Sequence, residues 1–166
     1  MSARLDAIDL AILAELQADG RITNVELARR VGISAPPCLR RVRALEEAGV
    51  IAGYRALVDT RAVGLAVVFF VFVQLDQQTE AELSAFGARV AAWKAVRECW
   101  TLSGETDFVL KCVAPDLDAF QTFVTELTAT PNVRNVRSSL ALKPVKDEAL
   151  AYVDRDAGHG TETHEH

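Results

Sequence analysis

Apolar residues recur along the first fifty positions at helical rather than strand spacing, in three blocks that each run into a glycine. Leu5, Ile8, Ile12, Leu13 and Leu16 mark a first amphipathic helix opening at Asp6, with Asp9 in its N-terminal turn and Gly20 as its stop. Thr23 and Glu26 stand at capping-box spacing and open a second helix at about Asn24, which Gly32 closes. Ser34 caps a third, whose first turn holds Pro36 and Pro37 where no intrahelical N–H is lost, and Gly49 ends it. At 100° per residue, Cys38, Leu39, Val42 and Leu45 share one arc of this helix; Arg40 lies opposite its centre, and Arg41 and Arg43 on the flanks. Glu46 falls at the edge of the apolar arc, where an arginine is its expected partner.

Two short helices joined by a glycine turn, the second with arginines on one side, are the layout of a helix-turn-helix DNA reader. Three such helices form the smallest winged-helix type of core. A solvated helical hairpin is the ordinary alternative, and the two caps with the one-sided arginine cluster favour DNA. Arginine suits the task because its planar fork bonds guanine or phosphate bidentately, and no lysine precedes Lys94. In this reading Arg40 reads base edges, Arg41 and Arg43 hold phosphates, and Ser34 with the helix N-terminus takes another phosphate.

Beyond Gly49 the periodicity changes. The run VIAGYRALVD is either a short extended segment or wing, or a plain linker. AVVFFVFVQL is apolar at nearly every position, so a strand there buries both faces. Thr79 and Glu82 open a helix with the stripe Leu83, Phe86, Val90 and Trp93. VRECWTLS and DFVLKCVA read as strands meeting at a tight loop of Gly104, Glu105, Thr106 and Asp107. Pro115 and Asp116 start a helix with Leu117, Phe120, Val124 and Leu127 on one side, and a last strand runs from about Val133 to Leu142. The order β-α-β-β-α-β is the ferredoxin-like split motif, with both helices on one sheet face. Phe70, Phe72, Cys99 or Trp100, and Cys112 are available to the two faces, so the bare side is apolar enough to pair with a copy of itself. The fold class is thus α+β: a helix-turn-helix domain over residues 1–50, a hinge or linker strand over 51–64, a ferredoxin-like domain over 65–146, and an extension over 147–166 whose end is disordered.

Composition refines this little. Half of the 166 residues are hydrophobic and a quarter charged, as in a globular chain. The net charge of −5 argues against a wholly basic nucleic-acid coat protein. Residues 1–60 balance eight arginines against eight acids, so the excess of acid lies beyond the reader, and tight DNA binding calls for several copies acting together. Cys38, Cys99 and Cys112 lie at no metal-ligand spacing and read as buried free thiols of a cytoplasmic protein. No signal peptide is visible, and the uncharged run from Ala62 to Val73 is too short to span a membrane. His159, His164 and His166 cluster in the tail without the spacing of a metal site. The folded region holds no histidine, no P-loop and no dinucleotide-binding glycine pattern, which disfavours an enzyme of amino-acid metabolism and any cofactor.

The strings LDAIDLAILAELQADGRITNVELARRVGISAPPCLRRVRALEEAGVIAGYRA and ECWTLSGETDFVLK resemble the Lrp/AsnC family of bacterial and archaeal transcription regulators, over roughly Leu5 to Lys146. The resemblance implies a DNA-binding N-terminal domain, a hinge strand after Gly53 and Tyr54, and a dimerising C-terminal domain whose dimers assemble into an octamer or larger ring. It implies an amino acid or related small-molecule effector held between dimers near Ser103, Gly104, Glu105, Thr106 and Asp107, with Ser138 at a position tied to ligand response. Glu105 or Asp107 is the expected acceptor for the effector's ammonium, with glycine letting backbone N–H groups approach its carboxylate. Trp100 stands where the family often has Tyr or His, and Glu105 where many members carry Asp. The partners implied are double-stranded operator DNA, further copies of the chain and an amino acid. The alternative is an architectural DNA-binding protein with no effector.

Overall fold

Three helices are followed by a four-stranded sheet carrying two more, in a computed structural model that describes residues 5–153. The chain divides into two compact units, one holding the residues up to Leu57 together with the stretch from Asp147, the other Val58–Lys146.

In the first unit, helix α1 (Ala7–Ala18) opens with a reciprocal capping box: Asp6 accepts from the Asp9 N–H at 2.8 Å, and Asp9 accepts from the Asp6 N–H at 3.1 Å. It stops at Asp19 in extended backbone, one residue before Gly20, which lies beside the Tyr54 ring. Helix α2 (Asn24–Val31) has Thr23 as its cap, but the box is one-sided, since the Glu26 carboxylate turns to Arg29 and Arg30. Gly32 ends α2 at φ 73°, a left-handed conformation that glycine adopts without strain. Helix α3 (Ala35–Glu47) follows within three residues, and Gly49 closes it at φ 71° while the Val50 N–H reaches back to the Leu45 carbonyl. Ile12, Leu27, Ala28, Cys38 and Leu45 form the core between the three helices.

Residues 52–59 carry no bridge to any strand, so the stretch after α3 forms no paired strand in the single chain. Near the far end, the Gln17 side-chain amide donates to the Ala151 carbonyl at 2.9 Å, so the stretch beyond Asp147 returns to α1. The three histidines of the tail lie outside the described residues.

The second unit has strands β1 (Val67–Leu75), β2 (Val96–Thr101), β3 (Phe108–Ala114) and β4 (Val133–Leu140), with helices α4 (Glu80–Ala92) and α5 (Leu117–Thr128). The sheet order is β2-β3-β1-β4 and every pairing is antiparallel. This is the ferredoxin-like arrangement expected from the element order. Along β1, Phe69, Val71, Val73 and Leu75 are buried against the helices, and along β3 the alternating Phe108, Leu110, Cys112 and Ala114 are buried beside them. Phe69 sits edge-on to Phe120 and Phe123 at 4.8 and 5.8 Å, and Phe86 lies 4.7 Å from Phe108. Burying a ring such as Phe69 contributes about 1.5–3 kcal/mol. Leu117 is exposed, and Phe123 takes its place in the stripe of α5.

The other sheet face carries no helix of this unit. In register on it stand Val68 with Val113, Phe70 with Lys111, Phe72 with Val109, and Val109 with Trp100. Phe70 and Trp100 are exposed, Arg137 lies over the Phe72 ring at 5.0 Å, and Lys111 pairs with Glu98 at 3.1 Å. Cys112 faces the helices, and Cys99 is exposed rather than buried.

Candidate nucleic-acid interface and effector site

Rotation of α3 about its own axis decides which of its side chains can meet a ligand. Cys38 and Leu45 lie in the core, and Asn24 at the start of α2 donates its amide to the carbonyl of Ala35, the first residue of α3, at 2.8 Å. Sequence reasoning passes over Asn24, because an asparagine one place after a cap carries no signal of its own. Arg41 sits on the inner flank and gives a single nitrogen to both Asp6 (2.7 Å) and Asp9 (2.8 Å). It therefore fastens α3 to the cap of α1 and is not presented to solvent like its neighbours. Asp6 is held below the usual carboxylate range, first by the Asp9 N–H and then by Arg41, which is itself held more firmly protonated by Asp9 and Asp6.

Arg40 and Arg43 lie on the outer face and line one shallow concavity with Pro36, Leu39, Ala44 and Glu47. Leu39, expected in the core, is 39% exposed there. The α3 arc is thus turned so that Arg41 replaces Leu39 on the inner side. Glu46 accepts from the Tyr54 hydroxyl at 2.9 Å rather than from an arginine.

Ser34 is at the cap position but makes no capping hydrogen bond. The reason lies in the sequence: a cap side chain accepts from the second or third helical N–H, and here those residues are Pro36 and Pro37, which have none. The same two prolines remove two of the four amides that a helix start usually leaves free, and the Cys38 N–H is given to the Ser34 carbonyl. An anion at this end meets the exposed Ser34 hydroxyl and little of the usual amide cradle.

On α2, Glu26 accepts from Arg29 and Arg30, and Arg30 also reaches Glu15 of α1 at 3.0 Å. The hydrogen bond from Arg29, then that from Arg30, pulls the Glu26 carboxyl down from 4.5 to about 2.

In the second unit the candidate effector residues separate into two groups. Ser103, Gly104 and Glu105 are exposed in the β2–β3 loop, where Gly104 has φ 115° and Thr106 is half-buried. Trp100 stands next to them at the end of β2 on the open sheet face, its indole N–H 3.4 Å from Glu98. Asp107 differs from these in being drawn into the fold. It is buried, its carboxylate accepts from the Leu75 N–H at 2.7 Å, its own N–H donates to Val73, and its carbonyl accepts from Leu102. Those three bonds close the hairpin onto β1, a tie between positions 32 residues apart that local patterning cannot reveal. Ser138 pairs with Val71 on β4, at the opposite edge of the sheet from β2. Three strand spacings, about 14 Å, separate the two edges. A single chain therefore does not gather Trp100, the loop and Ser138 around one small molecule. Among the described residues no group of acids, cysteines and histidines is placed to hold a metal ion, and no helix is long and apolar enough to cross a membrane.

Comparison with known proteins decides the family. Residues 5–52 match winged helix-turn-helix DNA-binding domains, and residues 68–151 match the Lrp/AsnC ligand-binding domain. The leucine-responsive regulatory protein of Rhizobium meliloti is 64% identical over 144 residues, spanning 86% of this chain and 92% of that protein. The chain belongs to the Lrp/AsnC family. The Bkd operon transcriptional regulator of Pseudomonas aeruginosa is 43% identical over 86% of this chain and 94% of its own length. A transcriptional regulator from Neisseria meningitidis, solved in complex with L-methionine, superposes with a TM-score of 0.86 at 38% identity, covering 91% of this chain and 98% of that one. The Lrp/AsnC chain described here is accordingly a DNA-binding transcriptional regulator built from a helix-turn-helix domain and an α+β ligand-binding domain.

The depressed Glu26 carboxyl has a consequence for stability. A group that ionises more readily in the folded state adds stability above its unfolded pKa near 4.5, and that contribution is lost as pH falls toward about 2. Thermal melting across this window is predicted to fall less steeply for Glu26→Gln than for the natural chain, and the difference to shrink in high salt. Equal slopes for the two proteins would remove Glu26 from the account.

Proposed function

We propose that this regulator reads double-stranded operator DNA with the outer face of α3, through Arg40 and Arg43 beside Leu39 and Pro36. The observation that carries the assignment is the division of labour among neighbouring arginines: Arg41 is spent on Asp6 and Asp9, while Arg40 and Arg43 project outward. Arg40 takes base edges, Arg43 takes phosphate, and Ser34 adds one hydroxyl to a phosphate at the helix start. The site of action is the cytoplasm, where operator DNA lies.

The working unit is a homodimer joined through the open sheet face, with dimers assembled into an octamer. Phe70, Phe72, Val109 and Trp100 support that union, because an apolar face of this kind gains by leaving water. Each dimer presents two α3 helices to major-groove segments about one helical turn apart. The effector is an amino acid, as in the L-methionine complex of the Neisseria meningitidis relative. It sits between copies, with Glu105 accepting from the ammonium and the backbone at Gly104 facing the carboxylate. Trp100, Ser103 and Thr106 border it, and a neighbouring chain supplies the rest, Ser138 included. The wide separation of Ser138 from the loop within one chain is what favours a shared site. Asp107 acts by holding the loop and does not touch the ligand.

Two experiments test this reading. Arg40→Ala is expected to weaken operator binding by about 1–3 kcal/mol and to relax base preference, without lowering the melting temperature. Unchanged affinity would reject α3 as the reader. L-Leucine and L-methionine are expected to raise the melting temperature of the natural chain. Glu105→Gln abolishes that shift at normal basal stability, whereas Asp107→Asn lowers stability without ligand. A full amino-acid shift in Glu105→Gln would take the ammonium away from this loop.

A further inference from the structure

Leu39 is the large apolar side chain of α3 that the fold leaves on the outside. The inner arc is filled by Cys38 and Leu45, fully or almost fully buried, and Arg41 occupies the flank where the helical wheel puts a leucine. Leu39 lies one turn after Pro36 and one turn before Arg43, so the three form a single stripe with Arg40 alongside. Two cations flank the leucine, and the next member of the stripe toward the C-terminus is Glu47.

This pattern limits what the stripe can meet. An apolar protein partner gains nothing from two desolvated guanidinium groups beside its contact. A bare phosphate strand does not explain a leucine between the cations. The helix N-terminus, with Pro36 and Pro37 in place of amides, is poorly equipped to be the main phosphate anchor. Glu47 turns phosphate away from the C-terminal end. What remains is the floor of the major groove, approached by the first two turns of α3. There thymine is the one base that presents a methyl group, next to acceptors that suit arginine.

We infer that Leu39 is a specificity-determining residue that reads a thymine C5-methyl group in the major groove, between Pro36 on one side and Arg40 and Arg43 on the other. The inference rests on α3 being the reading helix and adds the base class that its apolar member selects. Because Leu39 is exposed and outside the core, trimming it leaves the fold intact.

The test uses a duplex that the full-length protein selects from a random pool. Each thymine in it is replaced in turn by deoxyuridine, which removes the methyl group and keeps the hydrogen-bonding edge. At one thymine in each half-site the natural chain is expected to lose affinity about three- to fivefold, the effect of one buried methyl group. Leu39→Ala binds the thymine duplex correspondingly more weakly and shows no additional loss with deoxyuridine there, at an unchanged melting temperature. Indifference of the natural chain to every replacement overturns the inference, as does a Leu39→Ala variant that keeps the same loss at the same position. Arg40→Ala separates the two levels. If that variant binds the selected duplex normally, the reading helix itself is misassigned; if it binds weakly while Leu39→Ala keeps the deoxyuridine effect, only the thymine contact fails.

Discussion

The angle at which α3 is held about its own axis governs everything this domain can do with DNA. That angle is set from two sides. Cys38 and Leu45 pull one edge of the helix into the core, and Arg41 is tied to the carboxylates of Asp6 and Asp9 at the start of α1. A rotation of one residue, 100°, would exchange Arg41 for Arg40 on the inner side and bury a guanidinium without its partners. The clamp is also charge-assisted, one guanidinium nitrogen facing two carboxylates, which makes it directional where apolar packing alone is not. The reciprocal Asp6–Asp9 capping box therefore serves twice: it starts α1, and it fixes the two oxygens that receive Arg41.

A comparable device holds the second unit's loop. Asp107 is buried to satisfy the Leu75 and Val73 backbone, and this leaves Ser103, Gly104 and Glu105 at the surface, with the glycine in left-handed backbone. In both units carboxylates engaged within the fold fix the elements that carry the neighbouring candidate residues. Ligand control of such a regulator needs different effector affinity in different assemblies. The proposed site, divided between copies, would supply that difference, since it would be complete only when copies are joined.

Much of this is legible in the sequence. The helix stops at Gly32 and Gly49, the cap residues Asp6, Thr23, Thr79 and Asp116, and the alternation along β3 all depend on residues within a few places of one another, which is why spacing alone locates them. What spacing misplaces depends on distant partners. Leu39 and Arg41 exchange roles because Asp6, 35 residues away, is there to receive Arg41. Asp107 is drawn inward by β1, Glu46 is taken by Tyr54, and Cys99 is left exposed on an edge strand. A helical wheel gives the width of an apolar arc but not its bearing, and the bearing is a tertiary property.

The salt dependence of operator affinity for three single-alanine variants measures that bearing. Each arginine in contact with phosphate adds close to one unit to the slope of log K against log salt. Arg43→Ala is predicted to lower the slope by about one unit, while Arg41→Ala keeps the slope of the natural chain despite a lower melting temperature. Arg40→Ala, whose contact is with base edges, loses affinity at every salt concentration. A flattened slope in Arg41→Ala together with an unaltered one in Arg43→Ala would mean that α3 turns its other side to DNA.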